Sequence, residues 1–178
     1  MELKNTNIES LNVIKDTHFS DHRGFFNRYY EKETLKKHKI KFKPNYQALV
    51  NNSKKGIIRG LHMQKKFKQG KYVSVLKGKV LDVVVDCRKK SKTFGKHYKI
   101  ILSEKNCKSI FIPPGFIHGF LGLEKENIIN YMCTNYRNKN SEIGVKWDDV
   151  NLKINWNIKK PILSKKDKNN LNFKDIKF

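Results

Sequence analysis

A chain of 178 residues is long enough for one domain with a substantial core and short for two, so a single domain over residues 1–178 is expected. No run of 18 apolar residues occurs, and residues 1–14 mix Glu, Lys and Asn through their apolar positions, which argues against a membrane span or signal peptide and points to the cytoplasm. The formal charge of +23 arises from 34 Lys against 5 Arg, beside 19 Asn and 17 Ile. A nucleic-acid module favours Arg forks and interleaved aromatics, whereas Lys is spread along this whole chain, so the charge is compositional and neither nucleic acid nor membrane is expected as a partner.

In chain order, a short helix is expected over residues 31–39, and the chain after it reads as strands. Residues 71–76 and 79–86 are β-rich runs joined by Lys77-Gly78, which suggests a hairpin. In the second run Leu81, Val83 and Val85 share one face and Asp82, Val84 and Asp86 the other, so one face is expected to be core. Cys87, Cys107 and Cys133 are odd in number with no close pair, which fits reduced thiols and excludes a Cys-only zinc site. Runs at 97–102, 109–112, 119–123 and 128–135 continue the pattern, with Pro113-Pro114-Gly115 as a turn that cannot sit inside a central strand. Many short strands with spaced turns indicate a β-sandwich or jelly roll. Residues 147–178, with Trp156 and a polar tail, suggest a small helical or irregular flap against the sheet.

Within the strand-rich region, Arg59-Gly60-Leu61-His62-Met63-Gln64 is succeeded at once by Gln69-Gly70-Lys71. A neutral imidazole can take a proton from a carbon beside a ketone, and a nearby ammonium can balance the charge that appears on the ketone oxygen. Alone, a strand histidine is usually packed or exposed without function, and one lysine among 34 says little; the pair is what points to carbonyl chemistry. His62 is succeeded by Met63 and Gln64 rather than completing a His-x-His pair, so a metal-binding site is not expected. The scarcity of arginine singles out Arg23, Arg28, Arg59, Arg88 and Arg137 for anion or ring-stacking contacts.

Seven blocks then occur in a shared order: Asp21-His22-Arg23-Gly24-Phe25-Phe26, Arg59 to Gln64, Gln69-Gly70-Lys71, Asp82 to Asp86, Ser91-Lys92-Thr93-Phe94-Gly95, Ile112 to Phe120, and Leu163-Ser164-Lys165-Lys166-Asp167. Together they resemble the dTDP-4-dehydrorhamnose 3,5-epimerase family over nearly the whole chain. The resemblance implies an all-β, cupin-type jelly roll (double-stranded β-helix) with a few short peripheral helices, homodimeric, without metal or cofactor, acting on a nucleotide diphosphate sugar. It implies His62 as the base at C3 or C5, Asp167 as the carboxylate orienting that imidazole, Lys71 as the group stabilising the enolate oxygen, and Tyr131 as the acid on the opposite face. His118 is implied as a substrate contact, Arg23 and Arg59 as holders of the diphosphate, and Gln47, Glu142 and Lys166 as further binding positions.

The departures from the family gather on the nucleotide. Arg28 stands where the family has Glu, Gln47-Ala48-Leu49 replaces Gln-Asp-Asn, and Arg137 replaces the Tyr that stacks on thymine. The 4-keto-sugar chemistry is expected to survive while the base is left open. Epimerisation at C3 alone, or keto-isomerisation of another nucleotide 4-keto sugar such as a GDP-linked hexose or heptose, is the alternative. Strict alternation puts Arg59 and His62 on opposite faces of a strand, so an irregularity is expected at Gly60.

Overall fold

The computed structural model describes residues 1–42 and 47–178. In chain order its elements are β1 (Glu2–Asn5), β2 (Asn12–Lys15), β3 (Thr17–Asp21), β4 (Gly24–Arg28), α1 (Lys32–Lys37), β5 (Gln47–Ser53), β6 (Ile58–Gln64), β7 (Lys71–Lys77), β8 (Lys79–Asp86), β9 (His97–Ser103), β10 (Lys108–Ile112), β11 (Phe116–Gly122), β12 (Asn127–Cys133), β13 (Glu142–Gly144) and α2 (Lys165–Lys168). A six-stranded antiparallel sheet, β1-β2-β10-β7-β12-β5, faces a five-stranded one, β13-β6-β11-β8-β9, while β3 and β4 form a separate hairpin. Most neighbours in these sheets are distant in sequence. The architecture is the expected all-β cupin-type jelly roll, and its helices are short and peripheral.

Period-two alternation explains the layering. From the six-stranded sheet, Val73, Val75, Ile110, Ile112 and Ile129 point inward; they meet Val80, Val84, Leu102, Phe116 and Phe120 of the five-stranded sheet. The outer face of the six-stranded sheet carries Ile14, Tyr72 and Phe111, covered by Leu35 of α1 and by Phe42. Behind the five-stranded sheet, Ile58, Leu61, Leu81, Val83, Val85 and Ile117 pack against Leu152 and Trp156.

That outer layer corrects one expectation. Both faces of β8 are buried, since its apolar face meets the C-terminal segment while Asp82 and Val84 face the other sheet. Residues 147–178 form the expected flap, largely irregular with the short helix α2, and the Trp156 indole donates to the Trp147 carbonyl at 2.7 Å. Strands β1 to β4 carry no clear alternation in sequence; β3 and β4 are largely exposed, which is why they escape notice. The Ser91 to Gly95 block has a structural role. Asp86, fully buried, accepts from the Arg88 guanidinium and from the Ser91 and Thr93 hydroxyls, fixing the turn between β8 and β9. Burial alone raises this carboxyl, yet those donors bring it down to about 2.

The irregularity at Gly60 is present. His118 pairs with His62 and Phe120 with Arg59, so three steps along β6 match two along β11, a bulge that resets the alternation by one residue. Gly60 has φ of +123°, and a Cβ there would stand 2.5 Å from the Gly119 Cα. Only glycine fits that approach. As a result Arg59, His62 and Gln64 all reach the inner side of the sheet.

Candidate active site

A cleft of about 330 Å³ opens between the two sheets. One wall is β6 and β11, contributing Arg59, His62, His118 and Phe120; the other is β5, β7 and β12, contributing Leu49, Lys71, Tyr131 and Cys133. β13 and α2 close one side with Glu142, Lys166 and Asp167, and Arg137 completes the lining. Most of the candidate site residues therefore come together; Gln47 is outside the lining, paired with Cys133 that lines it, and Arg23 and Arg28 lie elsewhere.

His62 is gripped from one side. Its Nε2–H donates to Asp167 Oδ1 at 2.6 Å, and Asp167 is held in turn by the Ser164 hydroxyl, which caps α2. Burial favours the neutral carboxyl of Asp167, but the hydrogen bond and charge of His62, with Ser164 and Lys166, hold it below the usual carboxylate range. With Nε2 carrying the proton, Nδ1 keeps the lone pair, and it lies 3.6 Å from Glu142 Oε1. The register places Glu142 there, because β13 pairs with β6 such that Glu142 opposes Gln64 and Gly144 opposes His62. Glu142 also meets Arg137 NH2 and Lys166 Nζ, each at 3.0 Å.

On the facing wall, Lys71 and Cys133 are opposed in the β7–β12 ladder, with Tyr131 two residues along the same inner face. Burial weakens the hold of Lys71 on its proton, opposed by the nearby acids Glu142 and Asp82, while burial also keeps the neighbouring Cys133 a neutral thiol. Burial, reinforced by Asp82, pushes the Tyr131 hydroxyl well above the usual tyrosine range, so it is a phenol and not a phenolate. The His118 ring meets Tyr131 edge-on at 6.1 Å and its Nε2–H donates to Asp82 Oδ2 at 2.8 Å. Nothing in the motifs singles out Asp82 as a site residue. A signal is present all the same: an acid on the same face as Val80 and Val84 is a buried charge that needs a partner, and its Oδ1 has none among the described residues.

Arg59 donates through Nε to the Ser53 hydroxyl at 2.9 Å, which fixes its guanidinium at the cleft. Gln47 opposes Cys133 at the start of β5. Gln64, also unanticipated, is fully engaged: Nε2 donates to the Phe67 and Tyr136 carbonyls and Oε1 accepts from the Asn138 amide. It ties the two rim loops together. Arg23 and Arg28 are not brought to the cleft of their own chain. Arg23 pairs with Asp21 in the exposed β3–β4 turn, and Arg28 with Glu31. Among the described residues no group of three or more His, Cys, Asp or Glu side chains is arranged to hold a metal ion.

Comparison with known proteins points to one family. The family model described as dTDP-4-dehydrorhamnose 3,5-epimerase matches residues 5–175. A protein of that name from Shigella flexneri is 36% identical over 100% of this chain and 99% of its own length. The crystal structure of the Elizabethkingia anophelis dTDP-4-dehydrorhamnose 3,5-epimerase matches with a TM-score of 0.91 and 40% identity, covering 98% of this chain and 97% of the other. A Legionella pneumophila dTDP-6-deoxy-D-glucose-3,5-epimerase, solved with dTDP-4-keto-L-rhamnose, matches with a TM-score of 0.93 and 36% identity, covering 99% and 94% respectively.

Proposed function

Since this chain belongs to the dTDP-4-dehydrorhamnose 3,5-epimerase family, we propose an assignment of that family's chemistry to its residues. The protein is an isomerase that epimerises a dTDP-4-keto-6-deoxy sugar on both sides of the ketone. His62 Nδ1 removes the proton from C5 or C3, and the C–H electron pair moves into the bond to C4, leaving an enolate. The Lys71 ammonium balances the oxyanion; one such donor typically lowers the barrier by roughly 3–4 kcal/mol. Tyr131 then returns a proton from the opposite side, which inverts the centre, and exchange with solvent resets base and acid.

The observation that carries this reading is that His62 and Tyr131 line a single cleft from opposite sheets. Inversion needs removal and return on opposite faces of the sugar, and two facing walls provide that. Asp167 orients the imidazole and steadies its cation. His118, itself oriented by Asp82, contacts the sugar. Arg59, Lys166 and Arg137 lie at the cleft and hold the diphosphate and base, with Glu142 and Gln47 completing the binding set. Of the departures from the family, Arg28 sits away from the cleft, Leu49 lines it, and Arg137 stands at its mouth. A guanidinium stacks on a flat ring much as an aromatic does, so Arg137 suits a base at that position, and the dTDP sugar bound by the Legionella pneumophila relative makes thymine the base assigned.

The same reading includes one domain over residues 1–178, a homodimer, and a cytoplasmic role in making rhamnose-type precursors for polysaccharide. The hairpin supports the dimer: Phe19, Phe25 and Phe26 are 57–62% exposed beside Arg23, a concentration of apolar surface that suits burial against a second copy. No described helix is long and apolar enough to cross a membrane.

Incubation with dTDP-4-keto-6-deoxyglucose in heavy water tests the reading by NMR. Deuterium should enter at both C3 and C5, and dTDP should compete better than GDP, UDP or CDP. Exchange at C3 alone would replace double by single epimerisation, and no exchange would refute the assignment.

A further inference from the structure

We infer that Glu142 is a charge switch that makes His62 a stronger base once the nucleotide diphosphate has bound; this rests on the reading of His62 as the base. The switch is visible in an asymmetry of the Glu142 ion cluster. The carboxylate is fixed, since β13 pairs with β6 and its side chain is only 9% exposed. The two cations that neutralise it, Arg137 and Lys166, are 51% and 49% exposed on long side chains reaching in from the rim. A buried anion is therefore held neutral by groups that can leave.

The third neighbour of that carboxylate is His62, through Nδ1 at 3.6 Å. Nε2 is already committed to Asp167 at 2.6 Å, so Nδ1 is the nitrogen with a lone pair to offer. In the unliganded cleft, Arg137 and Lys166 hydrogen-bond the Glu142 carboxylate and share its charge with the imidazole. A diphosphate offers both cations competing acceptors with two formal charges and strong geometry for Arg in particular. As they turn to it, Glu142, held on its strand, is left facing Nδ1 with its counter-ions gone. The proton leaving C3 or C5 then passes to Nδ1 as the C–H electrons enter the enolate, and the new imidazolium lies between two carboxylates, Asp167 and Glu142. Binding energy from the remote nucleotide is thereby spent at the reacting carbon.

Glu142 on this account is a positioning residue acting through His62, and it differs from a plain substrate contact in what its loss does. Glu142→Gln should lower kcat on the full nucleotide sugar by roughly 10- to 100-fold while KM moves less than about threefold; an unchanged kcat with a raised KM would overturn the proposal. A divided substrate gives the second readout. The methyl glycoside of 4-keto-6-deoxyglucose carries the ketone without the nucleotide, and its deuterium uptake in heavy water should accelerate when inorganic pyrophosphate is added to the wild-type protein. In Glu142→Gln that acceleration should vanish. In Lys166→Met, where the carboxylate has lost a counter-ion permanently, uptake without pyrophosphate should rise and the added effect shrink. Equal acceleration in wild type and Glu142→Gln, or none in wild type, overturns the switch. Exchange of the intact dTDP sugar by the wild type is the separate control: its failure removes the epimerase reading, whereas its success with no pyrophosphate effect removes the switch alone.

Discussion

Tyr131→Phe and Lys71→Met separate the two halves of the proposed reaction. Without the phenol, His62 can still remove and return a proton on one face, so deuterium uptake should persist while net inversion falls sharply. Without the ammonium, the enolate itself is disfavoured, and uptake and inversion should fall together by roughly 10²- to 10³-fold. NMR of the product with and without heavy water reads both. A different residue governs stability. Asp16, 5% exposed and bonded to Tyr72 and Ser109, has its carboxyl raised to about 7, chiefly by burial and against the pull of those two hydroxyls. The unfolded chain ionises this group first, so the fold loses stability as pH climbs from about 4 to about 7, by up to roughly 4 kcal/mol, and loses no more from it beyond. Asp16→Asn should flatten that slope; urea midpoints at pH 5 and pH 8 that fall in parallel for variant and wild type would contradict it. Legibility at this scale depends on distance along the chain. His62 and Lys71 are nine residues apart and speak together, whereas Asp167 lies 105 residues from His62 and resembles a solvated acid in a lysine-rich tail until the chain folds it back.

Strand β6 shows what an element adds. Its sequence alternates wrongly for a strand that must present Arg59 and His62 on one face, and that contradiction alone is enough to anticipate a break at Gly60. The partner is not legible in the same way: Gly119 lies on β11, and a Cβ on it would come within 2.7 Å of the Arg59 carbonyl. The two glycines meet because β11 is the neighbour, a fact of topology. Gly60→Ala should force β6 off β11 and rotate the imidazole away from Asp167, so we expect catalytic loss with a marked fall in thermal midpoint, measured by activity and by calorimetry on the same preparation. Retained activity would show that the bulge does not set the site. Strand β8 is the converse case. Its alternation suggests a single core face because nothing local announces that residues 145–178 return to cover the other side.

For the molecule as a whole, strand content and turn spacing suffice to recognise a two-sheet β fold, because alternation and breakers are local properties. The order of strands is not recoverable that way, since pairs such as β2 with β10 or β5 with β12 join segments far apart in sequence. The charge of +23 belongs to no one place; much of what matters electrostatically lies instead in a few buried acids, Asp16, Asp82, Asp86, Glu142 and Asp167, each with its own partners.

The outer layer has an optical consequence. Both tryptophans of the chain, Trp147 and Trp156, belong to the segment packed behind the five-stranded sheet, and so does α2 with Asp167. Intrinsic emission therefore reports on the seating of this segment rather than on the sandwich beneath it. If the layer peels away before the sheets melt, mild denaturant should extinguish catalysis and red-shift the emission in step, while the far-ultraviolet dichroism of the strands persists to higher concentration.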